Sequence, residues 1–274
     1  MRTILDAIGS TPLIQIDGIW IKLEFLNPSG SIKARIAKYM IERAEREGLL
    51  KPGDTIVEAS SGNTGNAMSM VAAVKGYKML VVMPNGMSRE RTAISRAFGA
   101  EVRTIGDFHV NDALAEVRRL GDLPGYFAPQ QFDNEWNVDE NREWLAQEIL
   151  AQLPAGMLPD AVIGGVGTGG TIIGVGQAFK AVNPACKVVA LEPSESCTIL
   201  CGEIRAPARL HQRRELQVLL HRLDGIKSLG GDSLDKSVRP SARAAQARSA
   251  RARRARLPAP SGDRAPCRSR PLCV

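Results

Sequence analysis

From Thr3 to about Glu203, short runs of apolar and β-branched residues alternate with longer stretches of helical spacing, and that alternation restricts the chain to parallel sheets covered by helices. The predicted strands are Thr55–Glu58, Lys78–Met83, Glu101–Ile105, Ala161–Gly164 and Val188–Glu192. Between them Ile32, Ile36, Met40 and Ala44 recur every four residues before Gly48, a stop signal, and similar patterns fill 63–75, 89–98, 110–120, 138–153 and 170–182. Met68, Met70 and Trp144 are expected on core faces of these helices.

After Glu203 the character changes. The last aromatic residue is Phe179, so the final 95 residues offer no large core anchor. Leu216, Val218, Leu219, Leu220 and Leu223 allow one amphipathic turn or two, and the segment is not assigned to a sheet. Residues 237–274 hold ten arginines and one acid, Asp263, so the overall charge of +7 belongs to this tail and the remainder is close to neutral. The tail lacks an apolar stripe and is expected to be disordered. Without interleaved aromatics it reads as a solvated segment rather than a nucleic-acid interface.

No stretch approaches the roughly 18–20 apolar residues of a membrane span. The start, Met1-Arg2-Thr3-Ile4-Leu5-Asp6, lacks the apolar core of a signal peptide, so the cytoplasm is the expected location. Five cysteines, odd in number and without Cys-x-x-Cys spacing, indicate reduced thiols; Cys197 and Cys201 are not read as a metal pair. His109 is expected to be structural, and His211 and His221 fall in the unassigned region.

Three loops carry candidate chemistry. In Asn27-Pro28-Ser29-Gly30-Ser31-Ile32-Lys33-Ala34-Arg35, Ser31 is a good N-cap and Lys33 falls in the first helical turn. There the helix dipole and Arg35 both disfavour an ammonium, making Lys33 a candidate nucleophile or base, although this stretch alone favours a solvated surface lysine. Ser60-Ser61-Gly62-Asn63-Thr64-Gly65 follows a strand and opens a helix, where hydroxyls, an amide and free N–H groups suit a carboxylate; a capped turn without ligand is the alternative. Gly164-Gly165-Val166-Gly167-Thr168-Gly169-Gly170-Thr171 has the same placement and suits a phosphate. It is no Walker loop, and Glu192 at the end of the next strand keeps a dinucleotide reading open.

Taken in order, Thr11-Pro12-Leu13, Lys22-Leu23-Glu24, Asn27-Pro28, Ser31-x-Lys33, Ser60 to Gly65, Met83-Pro84, Met87-Ser88, Glu90-Arg91, Gln131-Phe132 and Gly167 to Thr171 resemble the cysteine synthase (O-acetylserine sulfhydrylase) and cystathionine β-synthase family of tryptophan-synthase-β-like pyridoxal-phosphate enzymes, from about Ile8 to Glu203. The resemblance implies an α/β fold of two parallel-sheet, three-layer domains. These are residues 1–127 with the lysine and carboxylate loop, and residues 128–204 with the phosphate loop, followed by a divergent region, 205–274. It implies pyridoxal 5'-phosphate as cofactor, covalently held by Lys33, which would also move the substrate's Cα proton. Asn63 would bond the cofactor's ring hydroxyl, and Gly167, Thr168, Gly169, Gly170 and Thr171 its phosphate. Ser60, Ser61, Asn63, Thr64 and Gln131 would hold the substrate carboxylate.

The implied reaction is β-replacement on an activated serine, O-acetylserine plus sulfide giving cysteine and acetate, in a homodimer. A cystathionine β-synthase-like replacement, or an inactive homologue that only binds ligand or partner, are the alternatives; acetylated and phosphorylated serine are not distinguished. The family's dehydratases usually carry His after the loop Asn, where this chain has Thr64.

The chain departs from the pattern at Ala34, where the family usually has Asp, and in a shortened segment between Leu13 and Lys22. Beyond Glu203 the family's glycine-rich segment and its later Ser-Ser-Gly turn, whose serine faces the cofactor's pyridine nitrogen, are not found. The Arg, Ala, Pro, Ser and Gly bias there is what out-of-frame reading of a GC-rich gene gives, and a frame change after Ile204 is the expectation. Translating the other two frames of the coding DNA should recover both missing segments; their absence from both frames rules the frame change out.

Overall fold

The structure, a computed structural model, describes residues 2–106, 110–193 and 216–221, all within one compact unit, Met1–Leu223. The chain opens with an antiparallel hairpin, β1 (Leu13–Ile16) and β2 (Ile19–Lys22), that pairs Ile16 with Ile19. Asp17 and Gly18 turn it with φ of +49° and +81°, the handedness a two-residue turn needs to match strand twist. This hairpin occupies the segment that the family comparison marks only as shortened.

Next come α1 (Lys33–Arg46), β3 (Thr55–Ala59), α2 (Asn63–Lys75), β4 (Lys78–Pro84), α3 (Arg89–Ala97), β5 (Glu101–Ile105), α4 (Asn111–Gly121) and the short β6 (Tyr126–Phe127). The four strands form a parallel sheet in the order β5-β4-β3-β6. Side-chain alternation splits its core in two. Ile56, Met79, Val81 and Met83 join the cluster under α1 and α2, while Val57, Leu80 and Val82 join the one under α4. Both faces being covered, the strands read as continuous apolar runs. Met68 and Met70 lie in the first core and Trp144 packs against it, as expected.

The second half begins where the sequence predicts one helix over 138–153. The structure has instead α5 (Trp136–Glu140), a π-helical turn over Asn141–Leu145, and α6 (Ala146–Gln152). The wider turn rotates the faces of α5 and α6 out of a single 3.6-residue register. Then β7 (Ala161–Gly165), α7 (Gly170–Val182), β8 (Lys187–Pro193) and β9 (Leu216–His221) build a second parallel sheet, β7-β8-β9. The run Leu216 to Leu220, which the sequence does not assign to a sheet, pairs in register with Val188 to Glu192, because a strand edge at β8 offers backbone partners that an isolated reading cannot see. The remaining expectations for 205–274, and those for His109, His211, Cys197 and Cys201, fall outside the described residues. Among the described residues Cys186 is a buried free thiol, no acidic, His or Cys cluster could hold a metal, and no helix is long and apolar enough to cross a membrane.

The two halves of the second layer meet with almost no clearance. A Cβ placed on Gly174 of α7 would lie 2.4 Å from the Val138 carbonyl oxygen and 2.9 Å from the Arg142 nitrogen. Both are backbone atoms and cannot swing aside. Gly174→Ala is therefore expected to lower stability by about 1–3 kcal/mol, seen as a reduced urea midpoint at unchanged slope.

Candidate active site

Lys33 begins α1, and its backbone N–H donates to Ser31 Oγ at 3.3 Å. The N-cap position is held by Ile32 rather than by Ser31 as the sequence predicts, and the Ser31 hydroxyl instead closes the turn just before the helix. The Lys33 amine is held below the ordinary lysine range chiefly because burial strips water from its ammonium form, with the Glu140 carboxyl pulling the other way. This corrects the cause read from the sequence. Arg35 does not confront Lys33 as an unpaired cation: its buried guanidinium donates to Glu24 Oε2 at 2.7 Å and Glu148 Oε2 at 2.9 Å, and lies 5.2 Å from the Trp144 ring centre. Thr11 Oγ1 and Asn27 Nδ2 donate to Glu24 in turn, at 2.6 and 2.8 Å. Ala34 is wholly buried against the first core, where an Asp would leave an acid without water.

The loop between β3 and α2 is organised by Ser60, whose buried Oγ accepts from the backbone N–H groups of Gly62 and Gly65 at 3.1 and 2.9 Å. Ser61 and Asn63 are exposed, and Arg91 from α3 donates to the Ser61 carbonyl at 2.9 Å. Thr64 is buried and donates to Gln131 Oε1 at 2.6 Å. Gln131 is clamped further: its Nε2 donates to the Ala59 carbonyl at 3.0 Å and its backbone N–H to Glu58 Oε2 at 3.1 Å.

The glycine loop leaves β7 and enters α7 through Gly169, whose φ of +84° is open to glycine at little cost. Thr168 is buried and Gly167 exposed, Thr171 lies in the first turn, and no side chain caps the helix start. Asn137 of α5 joins this loop to the other. Its Nδ2 donates to Thr168 Oγ1 at 2.8 Å and to the Gln131 carbonyl at 2.9 Å. Gly170 lets it approach, since a Cβ there would fall 2.1 Å from Asn137 Oδ1. Thr64, Gln131, Asn137 and Thr168 therefore form one continuous hydrogen-bonded path between two loops more than a hundred residues apart.

A family model described as pyridoxal-phosphate dependent enzyme matches residues 4–255. The chain belongs to that family. The match extends beyond Glu203, where the resemblance by individual motifs ends. Among relatives, a cysteine synthase of Flavobacterium sp. is 45% identical over 243 residues, covering 83% of this chain and 78% of that protein. An O-ureido-L-serine synthase of Streptomyces lavendulae is 41% identical over 210 residues, covering 74% and 64% respectively. A hydrogen sulfide-producing enzyme of Fusobacterium nucleatum superposes with a TM-score of 0.72 at 35% identity, covering 80% of this chain and 81% of that one.

Pyridoxal phosphate is the cofactor of this enzyme, and the dinucleotide reading of the glycine loop falls away. The residues in place fit the group. An amine whose charged form is disfavoured suits addition to an aldehyde, and an uncapped helix start beside Gly169 suits a phosphate dianion.

Three functional candidates escape the sequence. Asn137 and Glu140 are spaced like ordinary helix residues, and only Glu58 leaves a signal, an acid closing an apolar strand just before a ligand loop. Glu58 is fully buried, and burial pushes its carboxyl up to about 8, against the donated N–H groups of Ala59 and Gln131. Because the folded state binds this proton more tightly than the unfolded chain, the stability it contributes is complete below the ordinary value of 4.5 and is lost as pH rises towards about 8. Urea midpoints should therefore fall across that window, and Glu58→Gln should flatten the fall; an equally steep decline in the variant contradicts the assignment.

Proposed function

We propose that the chain catalyses β-replacement on O-acetylserine, with sulfide as nucleophile and cysteine and acetate as products. The observation that carries this reading is the desolvated amine of Lys33, set in a protein with a cysteine synthase among its relatives. When bound, the cofactor supplies an aldehyde that takes up an amine and a ring that accepts the electron pair left on a deprotonated carbon. Lys33 would hold it covalently, and the freed Nζ of Lys33 would take the substrate's Cα proton and later return it. The Cβ–O bond breaks with its electrons leaving on acetate, and hydrosulfide forms the new Cβ–S bond.

Gly167, Thr168, Gly169, Gly170 and Thr171 would receive the phosphate, and Asn63 would bond the ring hydroxyl. Ser60, Ser61, Asn63 and Thr64, with Gln131, grip the substrate carboxylate. The 2.6 Å bond between Thr64 and Gln131 supports a joint grip, since neither side chain can shift alone. The Asn137 bridge supports a fixed separation between phosphate and carboxylate sites, which is what orients Cα towards Lys33. Closure of the 60–65 loop over bound substrate excludes water from the reacting carbon. A homodimer is the assembly we propose, supported by exposed Ile14, Ile16, Ile19 and Ile21 on the hairpin and Phe25 and Leu26 after it.

Borohydride reduction of the cofactor-loaded chain should fix the label on Lys33 alone by peptide mass spectrometry. The loaded chain should release cysteine from O-acetylserine and sulfide, and Lys33→Ala should abolish labelling and cut turnover roughly a thousandfold. A label on another lysine, or full cofactor loading without cysteine formation, overturns the proposal.

A further inference from the structure

Met87-Ser88 and Glu90-Arg91 belong to the run of motifs that links the chain to its family, yet the proposed reaction gives them no task. They sit at the start of α3, where Ser88 precedes the first helical residue and Arg91 lies in the first turn. Side-chain bonds seat this helix on its neighbours. The buried Ser95 hydroxyl donates to Asn66 Oδ1 of α2 at 2.7 Å, and Thr92 Oγ1 donates to Met83 Sδ of β4 at 3.8 Å. Arg91 and Ser95 are four residues apart and share a helix face, so Arg91 lies one turn before the Ser95 contact, beside the loop that opens α2.

There Arg91 touches two consecutive residues. Its Nη1 donates to the Ser61 carbonyl at 2.9 Å, and its Cδ methylene fills the space beside Gly62, where a Cβ would lie 3.1 Å from it. The Ser61 carbonyl and the Gly62 N–H belong to one rigid peptide plane and point away from each other. Ser60 Oγ accepts that N–H at 3.1 Å. A peptide held by one bond can still turn about it, whereas one held on both sides cannot. Ser61 precedes this plane and Asn63 follows Gly62, and both are exposed, so the plane's orientation decides where their side chains point.

We propose that Arg91 is a positioning residue for the 60–65 loop: from α3 it clamps the Ser61–Gly62 peptide and so presents Ser61 and Asn63 to the substrate carboxylate. The consequence for substrate rests on the proposed function; the clamp itself does not. Because the bond is open to solvent, its loss should weaken the grip several-fold rather than abolish it.

The test uses the full-length chain. Arg91→Met keeps an apolar stem beside Gly62 and removes the donor, while Arg91→Lys keeps a donor on a stem of similar reach. In the cofactor-free protein, hydrogen–deuterium exchange at the Gly62 amide, followed by NMR, should quicken roughly three- to tenfold in Arg91→Met, with the amides of β3 and β4 at parent rates. Arg91→Lys should recover most of the parent rate. After cofactor loading, KM for O-acetylserine should rise by a similar factor in Arg91→Met with kcat within about twofold, and should again recover in Arg91→Lys.

An unchanged Gly62 exchange rate in Arg91→Met overturns the clamp. Faster exchange spread equally through β3 and β4 overturns it too, since that marks a fold merely loosened, and so does a lysine variant that behaves like the methionine one. Quickened exchange at Gly62 with KM unmoved overturns the positioning role. A loaded parent chain that makes no cysteine sinks the proposed function instead, and exchange at Gly62 still decides whether Arg91 holds the loop.

Discussion

A guanidinium with no exposure must be fully paired, and the pairing of Arg35 ties the rest of the molecule together. Glu24 comes from the turn after the hairpin, Glu148 from α6 beyond the π-helical turn, and Thr11 and Asn27 complete the cage around Glu24. Lys22 adds a second cation to Glu148. Several residues scattered before Lys33 thus have no direct chemistry; they hold Arg35, and Arg35 stands two residues from Lys33 in the same helical turn. Removing either acid would leave a buried charge uncompensated, which is why the start of α1 cannot drift relative to α6.

The second organising element is α5. Its Asn137 bonds both the Gln131 carbonyl and Thr168, and the helix with the turn after it is pressed against α7 at Gly170 and Gly174. The π-helical turn that follows lets α6 deliver Glu148 to Arg35 without pulling Asn137 out of its bridge. One short helix therefore fixes the spacing between the glycine loop and the 60–65 loop with its partner Gln131, parts contributed by distant stretches of chain. Electrostatics follows the same plan: Glu148, against the cost of burial, is held down to about 2 by direct bonds from Arg35 and Lys22, whereas Glu58 and Glu140 have no such direct cation partner and burial moves them upwards.

Much of this was legible in the residues themselves. Strands β3, β4, β5, β7 and β8 and helices α1 to α4 and α7 follow from local periodicity, which reports on which face of an element meets a core. The site loops were legible for a related reason: glycines and hydroxyls between a strand and a helix can be recognised without knowing what lies opposite. The Asp17-Gly18 turn carried a local signal too, but its strands are four residues each and their isoleucines stay largely exposed, so the hairpin is not read from burial in a core.

What tertiary structure alone decided is the state of the charged groups and the joining of the loops. The sequence determined that Lys33 begins a helix, but its lowered amine comes from burial by parts of the chain far from it, and Arg35, read locally as a repelling neighbour, is neutralised by an acid 113 residues away. Leu216 to Leu220 became a strand only because β8 offered an unpaired edge. Local spacing encodes which residues face inward; desolvation, ion pairing and strand registry depend on what arrives from elsewhere, and that is settled only when the chain closes on itself.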